Sequence, residues 1–305
     1  MGVGARHADF YNSYNYTNLV KIYEIDKNKW KNIQKRYPKV KLVDNENQIF
    51  NDPNIDLISL ASYDNYHFSQ ILKAAKYKKN IFVEKPICLL LKQLKIIKKN
   101  VLKSKIIMSC NFVLRENKQF KEIEKNIQKK RIGKIYFIEG DYNYGRVEKI
   151  ENGWRGKISN FSVTHGGAIH MIDLILWYLK ELPIDVVSSG NKLVIKNKRF
   201  KSNDFTIGIL NFKSGKIVKI TSNFGCVSPH HHAFKIFGDK GSIIHDMRGG
   251  LLVNSRNKKK KPKIFDLKTS NKQKANILKS FVNDIINNRK KKLKENFNDI
   301  INSML

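Results

Sequence analysis

The order of apolar and polar positions gives the chain two textures. Through residue 110, short runs of β-branched and other apolar residues alternate with segments whose apolar positions recur at helical spacing. Strands are predicted at 20–25, 41–43, 57–61, 81–83 and 106–110, and helices at 28–37, 66–78 and 89–103, the second carried by Phe68, Ile71, Leu72 and Ala75. Regular strand–helix–strand alternation specifies an α/β, doubly wound parallel sheet. From residue 134 a long strand over 134–144 and a helix near 167–179 precede strands near 186–189, 205–212, 217–223, 233–237 and 242–245. Short turns such as Lys213-Ser214-Gly215 join them, which predicts an α+β region with a large open antiparallel sheet. A helix over 276–288, with apolar Ile277, Leu278, Phe281 and Ile285, and a final helix complete the pattern. The predicted domains are 1–118 and 119–305, and the C-terminal helices can return to pack on the first.

Candidate chemistry gathers at the ends of the predicted strands. Gly2-Val3-Gly4-Ala5-Arg6-His7, leading into Ala8-Asp9-Phe10-Tyr11, reads as a tight glycine turn opening a helix, where backbone amides can meet a pyrophosphate. A lone Gly-x-Gly is weak, and His7 takes the place of a third glycine. The strand that should precede the turn is also missing, because the chain begins at Met1. Either the start lies further upstream or the first domain lacks its central strand. Glu24, 20 residues past Gly4, is either the acid that accepts from adenine ribose hydroxyls or a surface acid at a strand end. The first role favours NAD over NADP, with Lys27 leaving some room for NADP. Strand 57–61 runs into Ser62-Tyr63-Asp64-Asn65-Tyr66-His67, and strand 81–83 into Glu84-Lys85-Pro86. Both segments lie at carboxyl ends, where open parallel sheets bind ligands. Pro86 cannot donate to a sheet ladder, so the strand stops there. Lys85 therefore stands where a cofactor or substrate would lie, or is a surface lysine beside a turn.

Composition narrows the classes. Against 26 acidic residues the chain carries 59 lysines and arginines, a formal net charge of +33. The excess is almost all lysine, spread over every segment beside abundant Asn and Ile, as a bias toward A- and T-rich codons produces. The densest runs, 258–261 and 289–292, read as a solvated loop and a helix end, without the interleaved aromatics of a single-strand platform. Nucleic acid is thus not an expected partner. Cys88, Cys110 and Cys226 have no ligand spacing and are odd in number, which disfavours a disulfide framework or zinc site. His230-His231-His232 would alternate faces in a strand, with no carboxylate at suitable spacing, so no metal is expected. No apolar run reaches the roughly 18–20 residues that span a bilayer, and the start lacks the order of a signal peptide. A cytoplasmic protein without membrane partners is expected.

Together, Gly2-Val3-Gly4, Glu24, the segment 61–67, Glu84-Lys85-Pro86 and Gly166-Gly167-Ala168-Ile169-His170-Met171-Ile172-Asp173 resemble the Gfo/Idh/MocA family of nicotinamide-dependent oxidoreductases, over nearly the whole chain. The resemblance implies an N-terminal Rossmann dinucleotide-binding domain and a C-terminal substrate-binding and oligomerisation domain. It implies NAD as cofactor, held by Gly2, Gly4, Ala5, Arg6, His7, Glu24, Ser62, Tyr63, His67, Glu84, Lys85 and Pro86. Lys85 matches the family lysine that takes part in proton transfer, and His170 the histidine that acts as acid or base on the oxidised carbon. Asp173, three residues on and on nearly the same helix face, either orients that ring or caps a polar face. Many members carry an aspartate four residues before the histidine. Here Gly166 stands there, preceded by His165, so the catalytic set is Lys85 and His170 alone, or His165 helps.

Trp154-Arg155, Tyr144-Gly145-Arg146 and Asn223-Phe224-Gly225-Cys226 with His230-His231-His232 look like a subgroup tied to bacterial surface polysaccharide and unusual sugars. Arg115, Tyr144, Arg155, His165 and Asp173 are the substrate-binding candidates. Arg146 and Arg155 either grip a carboxylate or nucleotide phosphate or are ordinary sheet-edge arginines. The expected function is hydride transfer to or from a secondary alcohol or ketone of a sugar or nucleotide sugar, in a homodimer or homotetramer. The alternative is a non-catalytic binding or structural descendant of that enzyme family.

Overall fold

A computed structural model describes residues 2–257, 259–265 and 275–305, so Lys258 of the first basic run lies outside the described residues. The chain divides into two units, Met1–Asn111 with Ala275–Leu305, and Phe112–Lys274. None of the described helices is long and apolar enough to cross a membrane.

In the first unit, α1 (Val3–Ser13), β1 (Lys21–Tyr23), α2 (Trp30–Arg36), β2 (Lys41–Val43) and α3 (Asn47–Phe50) precede β3 (Leu57–Leu60), α4 (His67–Lys76), β4 (Asn80–Val83), α5 (Leu91–Ser104) and β5 (Met108–Cys110). All pairings are parallel, in two sheets of order β1-β2 and β3-β4-β5. Among the described residues β1 pairs only with β2 and β3 only with β4.

Helix α1 lies against both groups. Tyr37 Oη donates to Asp9 Oδ1 (2.7 Å) and Arg36 holds both oxygens of Asp9 (3.0 and 2.6 Å). On the other side, His7 Nε2 donates to Glu84 Oε1 (3.1 Å) and Nδ1 lies 2.8 Å from Ser59 Oγ. β4 is buried at Ile81, Phe82 and Val83, as a central parallel strand must be. The carboxyl-terminal helices α9 (Asn276–Ile286) and α10 (Lys290–Ser303) belong to this unit, with Phe281 packed on Phe82 at 5.7 Å and Tyr14 Oη donating to Asn283 Oδ1 (2.6 Å).

The second unit contains α6 (Lys118–Gln128), β6 (Ile135–Asn143), α7 (Glu148–Glu151) and α8 (Ile169–Leu179), then β7 (Pro183–Asn191), β8 (Phe205–Phe212), β9 (Ile217–Asn223), β10 (His231–Gly238), β11 (Gly241–Asp246), β12 (Gly249–Val253) and β13 (Lys263–Phe265). They form one eight-stranded sheet of order β13-β12-β11-β10-β6-β9-β8-β7. The sheet is mostly antiparallel, as the patterning predicted, with one parallel pair. β6 and β9 run parallel at its centre, because the chain crosses through α8 to the far edge before two hairpins bring β9 back beside β6. Strand alternation gives the sheet two unlike faces. Ile138, Val218, Phe234 and Ile236 join Met171, Leu174 and Ile175 of α8 in the core, while Glu139, Asp141, Lys219 and Lys235 pair on the opposite face at 3.0–3.7 Å.

The Glu84 carboxyl tests how α1 is held. Burial pushes it up, but the His7 and Asn111 bonds and the Lys85 charge outweigh burial and leave it below the usual carboxylate range. A folded-state value below the unfolded one stabilises at pH above the unfolded value, about 4.3, and this is lost as pH falls through the lower folded value. Acid unfolding should therefore steepen below about pH 4. His7→Ala, which takes a hydrogen-bond donor from the Glu84 carboxylate, should cost roughly 1–3 kcal/mol at neutral pH. In urea titrations its deficit should shrink on acidification, and a deficit independent of pH would contradict this origin.

Candidate active site

The first unit builds its site from the carboxyl ends of β3 and β4. Gly2 is the N-cap residue of α1, and the first turn holds no acidic side chain. A Cβ at Gly2 would meet open space, and one at Gly4 would stand 3.4 Å from Cβ of Ala61, just past β3. Bare amides at a helix N-terminus beside a strand end suit the pyrophosphate of a dinucleotide, so the residues fit NAD. Arg6 is exposed on the same turn, whereas Ala5 is buried and its carbonyl accepts from Tyr37 Oη at 3.3 Å. His7 does not belong to the turn, since its ring is buried against Phe82 and bonded to Glu84 and Ser59.

Lys85 is framed on both sides. Before it, Glu84 accepts from His7 and from Asn111 Nδ2. After it, the Lys85–Pro86 peptide is cis, and the Pro86 carbonyl accepts from His67 Nδ1 at 2.7 Å. The second nitrogen of His67 lies 3.2 Å from the Ser62 carbonyl, and the side chain is wholly buried. His67 and Glu84 thus hold the 62–67 loop and the Lys85 segment together. Ser62 Oγ donates to Gln70 (2.6 Å), while Tyr63 stays half exposed in a stack with Tyr66. Glu24 stands just past β1, where its carboxylate accepts from Asp26 N (3.1 Å) and meets Lys29 at 4.0 Å.

The second unit presents His170 from the start of α8. A π-helical turn, Thr164–Ala168, leads into the helix, and its glycines are set by space. A Cβ on Gly166 would come within 2.5 Å of the Phe161 ring, and one on Gly167 within 2.4 Å of the Tyr142 ring. His170 is buried, with Phe112, Tyr142 and His232 each 6.3 Å away between ring centres. Ser222 Oγ donates to the Val163 carbonyl (2.8 Å), tying the turn to β9.

Patterning missed most of the surrounding wall. Tyr142 and Tyr144, two apart on β6, stack at 5.9 Å, and Phe224 sits 4.5 Å from Tyr144. His232 opposes Tyr142 in register, with ring centres 5.2 Å apart, and His230 lies 4.9 Å from His232 and 5.1 Å from Tyr142. His231 turns away to Asn143 and the Pro229 carbonyl. Behind the wall, His245 Nδ1 donates to the His232 carbonyl (3.1 Å), and burial first of all pushes this imidazole down from its ordinary value. The period-two spacing of Tyr142 with Tyr144, and of His230 with His232, was the available signal.

The substrate-binding candidates separate. Arg115 donates to both oxygens of Asp173 (2.8 and 2.6 Å), and the Asp173 side chain is 1% exposed. The pair joins the segment before α6 to α8. His165 stays beside Ser162, at 3.1 Å, within the π-helical turn. Tyr144 lies in the aromatic wall, and Arg155 stacks over Trp154 at 4.2 Å. Among the described residues no group of three or more His, Cys, Asp or Glu side chains could hold a metal ion.

The chain is similar to known proteins. Residues 1–112 match the oxidoreductase family with an NAD-binding Rossmann fold, and residues 120–244 match the GFO/IDH/MocA C-terminal domain. A myo-inositol 2-dehydrogenase of Thermotoga maritima is 22% identical over 80% of this chain and 72% of its own length. An NAD(+)-dependent scyllo-inositol 2-dehydrogenase of Bacillus subtilis is 26% identical over 65% of this chain, which spans 57% of that protein. Among solved structures, levoglucosan dehydrogenase in complex with NADH and levoglucosan superposes with a TM-score of 0.83 at 17% identity, covering 93% of this chain and 88% of that one. The chain therefore belongs to the Gfo/Idh/MocA family of oxidoreductases, with an NAD-binding Rossmann domain followed by the family's C-terminal domain.

Proposed function

We propose that this protein transfers a hydride between NAD and a secondary alcohol or ketone of a sugar or sugar nucleotide, in the making of a surface polysaccharide. The observation that carries this reading is the frame around Lys85, which His7, Asn111 and His67 hold at the carboxyl end of β4. A lysine that served only solubility would need no such bracing. The 22% identical myo-inositol dehydrogenase supports a polyhydroxylated substrate, and the 144–146 and 154–155 motifs support the polysaccharide assignment.

Oxidising a CH–OH group removes a hydride from carbon and a proton from oxygen. NAD, when bound, supplies the hydride acceptor. The chain must supply a place for the proton, and Lys85 and His170 are the groups proposed for it, since amine and imidazole both exchange protons reversibly. The aromatic wall at Tyr142 and Tyr144 offers a sugar ring an apolar face.

A second reading, a cofactor-binding descendant without catalysis, draws on Gly166. Phe161 fills the space that a side chain there would need, so the family's aspartate has no room at this position. Purified protein assayed with NAD and a panel of sugars, cyclitols and nucleotide sugars decides between the two. NADH formation supports the enzyme, and saturable NADH binding with no turnover on any panel member supports the descendant. A homo-oligomer is proposed as well, supported by β7, where Ile184, Val186 and Val187 are 67%, 57% and 67% exposed; sedimentation as a monomer would contradict it.

Lys85→Ala and His170→Ala should each lower kcat by about 10²–10⁴-fold, the usual loss when an acid–base group is removed, and Lys85→Ala should do so with little change in the unfolding midpoint. Turnover within a few-fold of the parent would take that residue out of the reaction. His170→Ala should also change the pH dependence of kcat/KM, a readout that a merely structural histidine would not move.

A further inference from the structure

The first unit carries a groove that hydride transfer does not use. It lies between α2 and the chain leading into β2, with a volume of about 640 Å³. Trp30, Pro38, Val40 and Leu42 give it an apolar lining, and Val40 and Leu42 pack inward on Ile33 and Tyr37, in a small core of their own. Such a volume falls within the range of about 300–1,000 Å³ that small-molecule pockets occupy.

The rim of the groove is positive. Lys31 stands on α2, with Lys39 and Lys41 on the strand side, and all three are exposed. Among the described residues no hydrogen bond or ion pair engages their ammonium groups, and no carboxylate lines the groove. The acids of the neighbouring segments are taken. Asp9 is held by Arg36 and Tyr37, while Glu24 and Asp26 meet Lys29 at 4.0 and 3.0 Å. Elsewhere in this unit lysines do find acids, as Lys21 finds Asp52 (2.6 Å) and Lys73 finds Glu46 (2.7 Å). The backbone beside the groove is covered as well. Gln34 Nε2 donates to the Pro38 carbonyl (3.1 Å) and more distantly to those of Tyr37 and Val40, both at 3.4 Å. A docked peptide strand would need such acceptors for its own N–H groups, so the groove suits a compact ligand better.

We propose that this groove binds a small amphipathic anion, whose apolar body lies on Trp30, Val40 and Leu42 and whose charged head meets Lys31, Lys39 and Lys41. Burial of the body supplies affinity, and the rim selects the anion over its neutral counterpart. The binding does not depend on the hydride-transfer reading.

The test is isothermal titration of the whole chain with octanoate, 1-octanol and acetate at low and high salt. Octanoate should bind at least about tenfold more tightly than either control at low salt, and its lead over octanol should shrink as salt rises. Lys39→Glu and Lys41→Glu should each weaken octanoate by about threefold or more, with little effect on octanol. Lys98→Glu, exposed on α5, changes the net charge of +33 equally and should leave octanoate affinity unchanged. Octanoate should also alter the tryptophan emission of the parent but not that of Trp30→Phe. Octanoate affinity no greater than that of octanol or acetate would overturn the proposal, as would equal weakening by Lys98→Glu and the rim substitutions. An emission change that survives Trp30→Phe would place the anion elsewhere and overturn it too.

Discussion

The second unit depends on one close contact, the backbone of the 164–168 turn resting on the ring of Tyr142. Gly167 allows it, since a Cβ there would penetrate the ring at 2.4 Å. This approach sets the height of α8 above the sheet, and with it the place of His170. It also explains why Tyr142 is large, flat and buried, because only an aromatic ring closes so shallow a gap while leaving an edge for His230 and His232. Packing and chemistry share the same side chains here, so shape helps to position His170.

In the first unit, polar bonds do the positioning. Glu84, His7, Asn111, Ser59, Ser62 and His67 form a set of buried and half-buried donors and acceptors around the strand ends, joined by hydrogen bonds. Buried polar groups are costly when unmatched and specific when matched. The Lys85 segment is therefore held in one place by partners drawn from α1, β5 and the loop before α4. His7 illustrates the exchange. A residue that departs from the glycine pattern is accommodated because its imidazole finds a carboxylate and a hydroxyl inside the unit.

Much of this was legible in the residues. The strands at 41–43, 205–212 and 217–223 carry a clear period of two or a bounded apolar run, and the structure places them at those residues. Glu84-Lys85-Pro86 announced itself because proline ends a strand. β12 and β13 were missed, since Gly249 and Gly250 weaken one signal and the other is only three residues long. The parallel pairing of β6 and β9 was invisible because it depends on where a long crossover returns the chain, and no local pattern encodes that. Arg115 and Asp173, 58 residues apart, looked like two separate site residues, although the fold pairs them. Conversely, Tyr142, His230 and His232 looked like sheet residues and histidine-rich sequence, because a wall assembled from neighbouring strands has no contiguous signature.

The central claim is that the frame around Lys85 and the amide turn at Gly2 and Gly4 serve a nicotinamide dinucleotide. The most direct measurement is a fluorescence titration of NADH with the purified protein. Saturable enhancement of NADH emission, reversed by added NAD and weakened by Gly4→Asp at the helix N-terminus, is the result the structure predicts. No saturable change with either NADH or NADPH at millimolar cofactor, in protein shown to be folded, would contradict it.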